Sequence, residues 1–302
     1  MGDMDGKRLC PFVFMLEVVM DRRKRWIHAF VLCAIGIGIA GLQCGLVTRN
    51  YTLETEKLKE GQGMRLLMLS DLHSCIYGEN QCQLMERIIR EQPDCILLCG
   101  DIVDDKIPRD GAEQLLQQIT QIAPCYYVSG NHEFWSGQAE DIIDMIEQYG
   151  VHVLRNDQET VTINEVSFIL CGVDDPASTG TRQARSYGES EEYRRTLSQF
   201  QNLDEKQFCV LLAHRPEYIT EYAKYPFDLV LCGHAHGGQW RIPYLLNGLI
   251  APNQGFFPKY AGGQYTCGSM TEIVGRGLAR DWKPRLFNPP EIVVVDVSGT
   301  GE

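Results

Sequence analysis

Side chains able to bind metal ions are gathered in five short clusters of this chain, and five of its seven histidines lie in them. Mixed carboxylate, amide and imidazole donors without thiolate suit Mn, Fe or Zn better than Ca or Cu(I). In an extended segment, side chains two residues apart point the same way, so the paired donors of the first and last clusters can each converge on one ion. The clusters are Asp71-Leu72-His73, Gly100-Asp101, Gly130-Asn131-His132-Glu133, His214 and Gly233-His234-Ala235-His236.

Each cluster follows a short apolar run, and runs of this length are typical of strands buried on both faces. Amphipathic segments at Glu79–Glu91, Gly111–Ile122 and Gly137–Tyr149 separate the first runs. Strands that alternate with helices predict a parallel α/β sheet, in which sites form beyond the carboxyl ends of the strands. We therefore expect all five clusters to converge at one edge. The runs are RLLMLS, CILLC, CYYVS, FCVLLA and LVLC.

The second half of the chain is richer in β-type residues. The segments Thr160–Ile163, Ser167–Val173, Gln239–Ile242 and Ile292–Val297 favour strands. We expect them to form a second sheet that packs on the first within the same domain.

Taken in order, the five clusters resemble the calcineurin-like metallophosphoesterase superfamily, over residues 64–297. Gly237-Gly238-Gln239, Asp174-Asp175 and Asn288-Pro289-Pro290-Glu291 resemble its membrane-associated YkuE/YaeI-type branch. The resemblance implies an α/β fold of two packed, mostly parallel or mixed sheets flanked by helices, an αββα sandwich. It also implies a phosphodiesterase or pyrophosphohydrolase with two divalent metal ions, Mn being expected and Fe or Zn being alternatives.

The resemblance also assigns roles to individual residues. Asp101 would bridge both metals, and His132 would face the phosphate and assist the leaving group. A hydroxide bridging metals ~3.5–4 Å apart would attack phosphorus directly. Glu133, Asp104 and Asp105 either orient the ligands or are solvated loop acids. The first metal would be held by Asp71, His73 and His236, and the second by Asn131, His214 and His234.

The substrate is less well defined by the sequence. Arg182, Arg185 and Arg276 are candidate phosphate contacts, with a solvated helix and loop as the alternative for the first two. Leu245, Leu246, Leu249, Ile250, Phe256 and Phe257 form either an apolar rim beside the metal site or a cover for the second sheet. A rim would suit a lipid-linked phosphate, and some members of the superfamily act on UDP-2,3-diacylglucosamine.

The alternative function is a non-catalytic metal-binding scaffold on the same fold, because fold alone does not define activity.

The net charge of -12 argues against nucleic-acid binding, while bound cations could still attract a phosphate. Hydrophobic residues make up 44% of the chain, which predicts a real core. The twelve cysteines lack C-x-x-C spacing, and we interpret them as structural thiols. The oligomeric state is left open.

The N-terminal region predicts a membrane anchor. Residues 27–47 are almost entirely apolar, and about 20 such residues span a bilayer as a helix. The basic cluster at 22–25 places residues 1–26 on the cytoplasmic side, so the catalytic domain is expected outside the cell membrane. A cleaved signal peptide and a buried helix are the alternatives. The expected organisation is a tail (1–26), an anchor (27–47), a linker (48–62) and a catalytic domain (63–299).

Overall fold

The computed structural model describes residues 45–179, 191–280 and 284–302, together with separate positions between 24 and 42. Two compact units are present, one up to Gln43 and one from Cys44 to Glu302. None of the helices in the described part of the chain has the length and apolar composition that a bilayer crossing requires. Several positions of the anchor expected at 27–47, such as 33–35, lie outside the described residues.

Fourteen strands are found in the described residues of the second unit, joined by α-helices and short 3₁₀ turns. The helices are α1 (Cys82–Glu91), α2 (Asp110–Ile119), α3 (Asn131–Trp135), α4 (Ala139–Gln148), α5 (Glu191–Ser198) and α6 (Ile219–Tyr222). The strands are β1 (Val47–Lys59), β2 (Gly63–Leu69), β3 (Cys95–Cys99), β4 (Cys125–Val128), β5 (His152–Val153), β6 (Asp157–Ile163), β7 (Val166–Gly172), β8 (Cys209–Leu212), β9 (Leu229–Cys232), β10 (Ile250–Ala251), β11 (Gly255–Phe256), β12 (Gly263–Cys267), β13 (Met270–Val274) and β14 (Glu291–Gly301).

The strands form two six-stranded mixed sheets and one short hairpin. The first sheet has the order β1-β14-β2-β3-β4-β5, and β2 to β5 run parallel. The second has the order β12-β13-β9-β8-β7-β6, with β7, β8, β9 and β13 parallel. The strands β10 and β11 pair only with each other.

Three apolar clusters hold these layers together. The middle cluster lies between the sheets and joins residues such as Leu66 and Leu97 to Leu170 and Leu231. A second cluster packs α1, α2 and α4 on the outer face of the first sheet, and a third packs α5 and α6 on the second. The expected two-sheet arrangement flanked by helices is confirmed. The segment Ile292–Val297, however, was expected in the second sheet and instead forms part of β14 in the first, where it pairs with β1 and β2. Six cysteines of the apolar runs are buried in strands, as the sequence indicated: Cys95, Cys99, Cys125, Cys171, Cys209 and Cys232.

The segment 48–62 is not a linker, because β1 takes up most of it. Val47–Lys59 pairs in parallel with β14 at the edge of the first sheet. Most of its charged side chains face solvent, while Tyr51 and Leu53 pack against the core between the sheets. Lys57 is partly buried and forms an ion pair with Asp228 at 2.8 Å. This alternation is typical of a half-buried edge strand, so the polar composition reflects its exposed face.

The strand expected at Gln239–Ile242 is also absent. Gln239 has a φ of 57°, which interrupts an extended backbone, and only isolated bridges at Trp240 and Ile242 form there.

Candidate metal centre

The five sequence clusters meet at one edge of the two sheets. Asp71, Asp101 and Asn131 follow β2, β3 and β4, while His214 and His234 follow β8 and β9. Parallel strands place their carboxyl ends together, and the packing of the sheets joins the two edges. A cleft of about 640 Å³ opens at this point.

The first predicted donor set is brought together as expected. One donor atom from each of Asp71, His73 and His236 lies within 4.8 Å of the others. His236 Nε2 is 3.7 Å from Asp71 Oδ1. This spacing leaves room for one cation between the three side chains.

The second donor set contains Asp101, His214 and His234, whose donor atoms also lie within 4.8 Å of one another. Asp101 Oδ2 is 3.1 Å from His214 Nε2 and 3.6 Å from His73 Nε2, so it lies between the two sets. The position matches that of a bridging carboxylate. Asn131, the remaining predicted ligand, lines the same cleft.

Several donor atoms in the cleft are buried without any hydrogen-bond partner in the described structure. An unpaired buried polar atom costs about 1–3 kcal/mol. Three of these atoms belong to the residues of the first donor set and the fourth to Asn131, so a cation bound there would give these residues a charged partner. The residues present therefore fit a pair of divalent metals. The atoms are Asp71 Oδ2, His73 Nε2, Asn131 Oδ1 and His236 Nδ1.

The backbone at this edge is strained. Five of the seven candidate ligands have positive φ, a conformation that non-glycine residues rarely adopt. Strain of this kind is concentrated at functional sites, where the surrounding structure holds it in place. The five are Asp71, His73, Asp101, His234 and His236, with φ between 46° and 65°.

Close backbone approach also explains two of the cluster glycines. A Cβ at Gly130 would lie 2.2 Å from Asp101 Oδ1, and one at Gly233 would lie 2.5 Å from Asp71 Oδ2. Any larger residue would displace a carboxylate that belongs to the donor sets. Glycine is thus required for steric reasons at the first position of the Gly-Asn-His pattern and of the Gly-His-Ala-His pattern.

Hydrogen bonds fix the orientation of three of the imidazole rings. Nδ1 of His73 donates to Asp104 Oδ2 at 2.9 Å, and Nδ1 of His214 donates to the Cys99 carbonyl at 2.8 Å. Nε2 of His234 donates to Asn253 Oδ1 at 3.0 Å. In each ring the other nitrogen faces the donor sets, and those of His214 and His234 lie 3.2 Å from each other.

The charges of the donors are set by burial and by their neighbours. Burial lowers the pKa of His234 and His236, which keeps these rings neutral. Burial opposes ionisation of His214, but Asp101 outweighs it and raises the pKa of His214 to about 10. Although burial works against it, the hydrogen bond from His73 lowers the pKa of Asp104 to about 2. Carboxylates and imidazoles thus alternate around the cleft.

His132 occupies a different position from the two donor sets. Its ring is 22% exposed at the cleft, and its Nδ1 lies 2.7 Å from Asp105 Oδ1. Its backbone N–H donates to Asp101 Oδ1 at 2.8 Å, which fixes it beside the proposed bridge. Its donor atoms also come within 4.8 Å of those of Asp104 and Asp105, and of those of His73 and Asp101.

Glu133 is the clearest structural residue of the site. It is fully buried, and its carboxylate accepts hydrogen bonds from four backbone N–H groups, those of Asp101, Ile102, Val103 and Gly130. Burial raises its pKa to about 7. Glu133 therefore ties the loop after β3 to the start of α3, and is not a solvated loop acid.

Arg276 is the candidate phosphate-binding arginine that the structure describes, and it is not brought to the cleft. Arg276 lies with its Nε 3.2 Å from Glu291 Oε2, and it is not among the residues that line the cleft. Arg182 and Arg185 lie outside the described residues. Arg276 is held instead by a buried carboxylate, a contact that nothing in the local sequence indicates.

Two asparagines of the site were not recognised as such in the sequence. Asn253 orients His234 across 19 residues, and no local pattern announces that contact. Asn288 donates to the carbonyls of His236 and Gln239 at 2.7 and 3.2 Å, which holds the last cluster in place. Its occurrence in the Asn-Pro-Pro-Glu segment was the only signal.

Apolar residues surround the mouth of the cleft. Ile250, Ala251 and Pro252 line it beside the histidines, together with Trp135 and Ile107. Among the residues considered as a rim, Leu246 and Leu249 are partly buried. The other four are exposed and do not cover the second sheet: Leu245, Ile250, Phe256 and Phe257.

This fold and donor set define an α/β protein whose strand ends are arranged to hold cations in an open cleft. A family model described as calcineurin-like phosphoesterase matches residues 64–238, the part that carries all five clusters. The chain belongs to the calcineurin-like metallophosphoesterase family.

Relatives of similar length support this assignment. An uncharacterized metallophosphoesterase of Aquifex aeolicus is 33% identical over 261 residues, which cover 85% of this chain and 93% of that protein. The uncharacterized metallophosphoesterase YkuE of Bacillus subtilis is 28% identical and covers 84% of this chain and 86% of its own. A Danio rerio transmembrane protein with a metallophosphoesterase domain is 28% identical over 63% of this chain and 44% of its own.

Proposed function

We propose that this protein hydrolyses phosphodiester or pyrophosphate bonds with two divalent metal ions. The observation that carries the proposal is the group of four unpartnered buried donor atoms at the meeting point of two donor sets. Asp71, His73 and His236 would hold one ion, and Asn131, His214 and His234 the other, with Asp101 between them. Bound there, the ions would neutralise phosphate charge and supply hydroxide near neutral pH.

His132 is proposed to act on the leaving group. Its ring faces the cleft and is oriented by Asp105 at 2.7 Å, so Nε2 is free to carry a proton toward a departing oxygen. Asp105 would stabilise the charged ring, as a carboxylate does for an acid–base histidine. Asp104 and Glu133 would hold the ligands and their loops in position without touching the substrate.

A lipid-linked substrate, such as a nucleotide sugar of the UDP-2,3-diacylglucosamine type, is the finer proposal. It is supported by the apolar lining at Ile250, Pro252 and Trp135, next to the donor sets. We further propose that residues 27–44, the part of the expected anchor that precedes the described fold, anchor the protein in the cell membrane, with residues 45–302 on the extracytoplasmic side. The support for this is the apolar composition of the segment and its basic flank.

Hydrolysis of bis(p-nitrophenyl) phosphate by the full chain tests the activity. We expect it to stop after chelation and to return with added Mn²⁺. Hydrolysis that is unaffected by chelation would contradict the proposal, as would inactivity of the metal-loaded chain on diesters and pyrophosphates alike.

A separate comparison tests the lipid-linked substrate. The kcat/KM should be larger for a long-chain lipid phosphate than for its short-chain analogue, and equal values would exclude a lipid-linked substrate.

A further inference from the structure

Two adjacent loops beside the cleft expose large apolar side chains. Tyr244 and Leu245 are 106% and 85% exposed, and Phe256 and Phe257 are 70% and 69% exposed. Isolated apolar residues are common on protein surfaces, whereas a contiguous group marks a contact with a partner or a membrane. We name this group, which also includes Ile242 at 47% exposure, the apolar tip.

The backbone holds the apolar tip against the mouth of the cleft. Ile250 pairs with Phe256 in the hairpin of β10 and β11, and Phe257 N–H donates to the Leu249 carbonyl at 2.8 Å. The hairpin includes Ala251, which lines the cleft together with Ile250. Phe256 and Phe257 therefore lie at the same edge of the molecule as the metal centre. The turn that carries Tyr244 and Leu245 is joined to this edge through Leu249, whose N–H donates to the carbonyls of Gly238 and Trp240 at 2.9 and 2.8 Å.

A second observation concerns the point where the chain enters this unit. Val47 begins β1, and its N–H donates to the Pro290 carbonyl at 3.0 Å. Two residues before Pro290, Asn288 donates to the His236 carbonyl at 2.7 Å. The first residue of β1 thus lies at the cleft edge, and the turn between β1 and β2 at Glu60 lies at the opposite edge.

We infer that the cleft edge faces a lipid bilayer and that the apolar tip inserts into its surface. The sequence that leads to Val47 is the apolar segment 27–44, so a tether emerges from the edge that carries the tip. Aromatic and aliphatic side chains on such a surface enter the boundary between headgroups and acyl chains. The inference rests on the membrane anchoring proposed above, but not on hydrolysis.

The attraction between the apolar tip and the bilayer is hydrophobic and not electrostatic. With a net charge of -12, the protein as a whole is repelled by anionic lipids. Binding of the tip should therefore occur on zwitterionic phosphatidylcholine and should not weaken with added salt. The cleft would then open at the depth where the phosphate of a membrane lipid lies.

The test uses the full chain with an environment-sensitive dansyl amino acid in place of Leu245. The matched control carries the same group in place of Glu60, an exposed residue at the opposite edge. Each protein is reconstituted with phosphatidylcholine vesicles whose acyl chains are either plain or brominated. Circular dichroism shows whether both labelled chains are folded.

We expect the label at 245 to shift to the blue and to lose about half of its emission to brominated lipid, since inserted side chains reach the upper acyl chains. The label at 60 should show neither change. Equal behaviour of the two labels, or no quenching at 245, would overturn the inference. Co-sedimentation with the vesicles reports the anchor separately, and diester hydrolysis reports the proposed activity, so the failures can be told apart.

Discussion

At the scale of single residues, the proposed metal centre depends on which nitrogen of each histidine ring faces the cleft. His73, His214 and His234 each use one nitrogen for a hydrogen bond to a fixed oxygen, and the other faces the donor sets. His132 instead uses its Nδ1 for Asp105 and remains partly exposed. The proposed ligands and the proposed proton donor therefore differ in burial and in hydrogen-bond partner.

Replacing His132 separates metal binding from proton transfer. We expect His132→Ala to retain both metals and to lower kcat by roughly 10²–10⁴, the usual contribution of a positioned proton donor. Metal analysis alongside steady-state kinetics on a phosphodiester checks both parts. Loss of both metal and activity in this variant would mean that His132 is a metal ligand.

Asn253 should act on metal affinity through His234. Asn253→Gly removes the acceptor at 3.0 Å while tolerating the φ of 58° at this position, so the affinity for one ion should fall 10–100-fold, roughly the effect of losing a partner that orients a ligand. Asn253→Asp keeps an acceptor and is the matched control. Chelator competition measures both variants. Similar affinities for the two would mean that this hydrogen bond does not position the ring.

At the scale of elements, the strand ends were predictable because their signals are local. Each apolar run, its following polar cluster and the intervening amphipathic helix are visible within a few residues, and all were placed correctly. The edge strand β1 was not, because its pairing partner β14 lies more than 230 residues away. Contacts such as Arg276 with Glu291 and His234 with Asn253 span only 15 and 19 residues, but no local pattern indicates them, so they were missed as well. They are made by side chains that only the folded chain brings together.

The edge strand leads to a prediction about fragments. A fragment of residues 61–302 lacks β1, which leaves the paired edge of β14 open and uncovers the core beside Leu58, a buried residue. We expect it to aggregate, or to unfold in urea at a clearly lower concentration than a fragment of residues 45–302. Size-exclusion chromatography and urea titration compare the two. Equal midpoints would show that β1 is dispensable.

At the scale of the whole molecule, the two sheets form one cleft from opposite halves of the chain. Asp71, Asp101 and Asn131 come from the first sheet, and His214 and His234 come from the second. Bound cations would hold the two halves together, since ligands that bind only the folded state stabilise it. The sequence predicted this convergence, while the inferred orientation of the cleft toward a membrane rests on the exposed loops and the start of β1.

The most direct test of the account is the metal content of the full chain and of Asp101→Ala. We expect two ions per wild-type chain and nearly none in Asp101→Ala, because Asp101 Oδ2 lies between both donor sets. His152→Ala is the control, since His152 is exposed, lies outside the cleft and should leave both ions in place. A folded Asp101→Ala chain that still carries two ions, or a wild-type chain that binds none, would contradict the dinuclear centre.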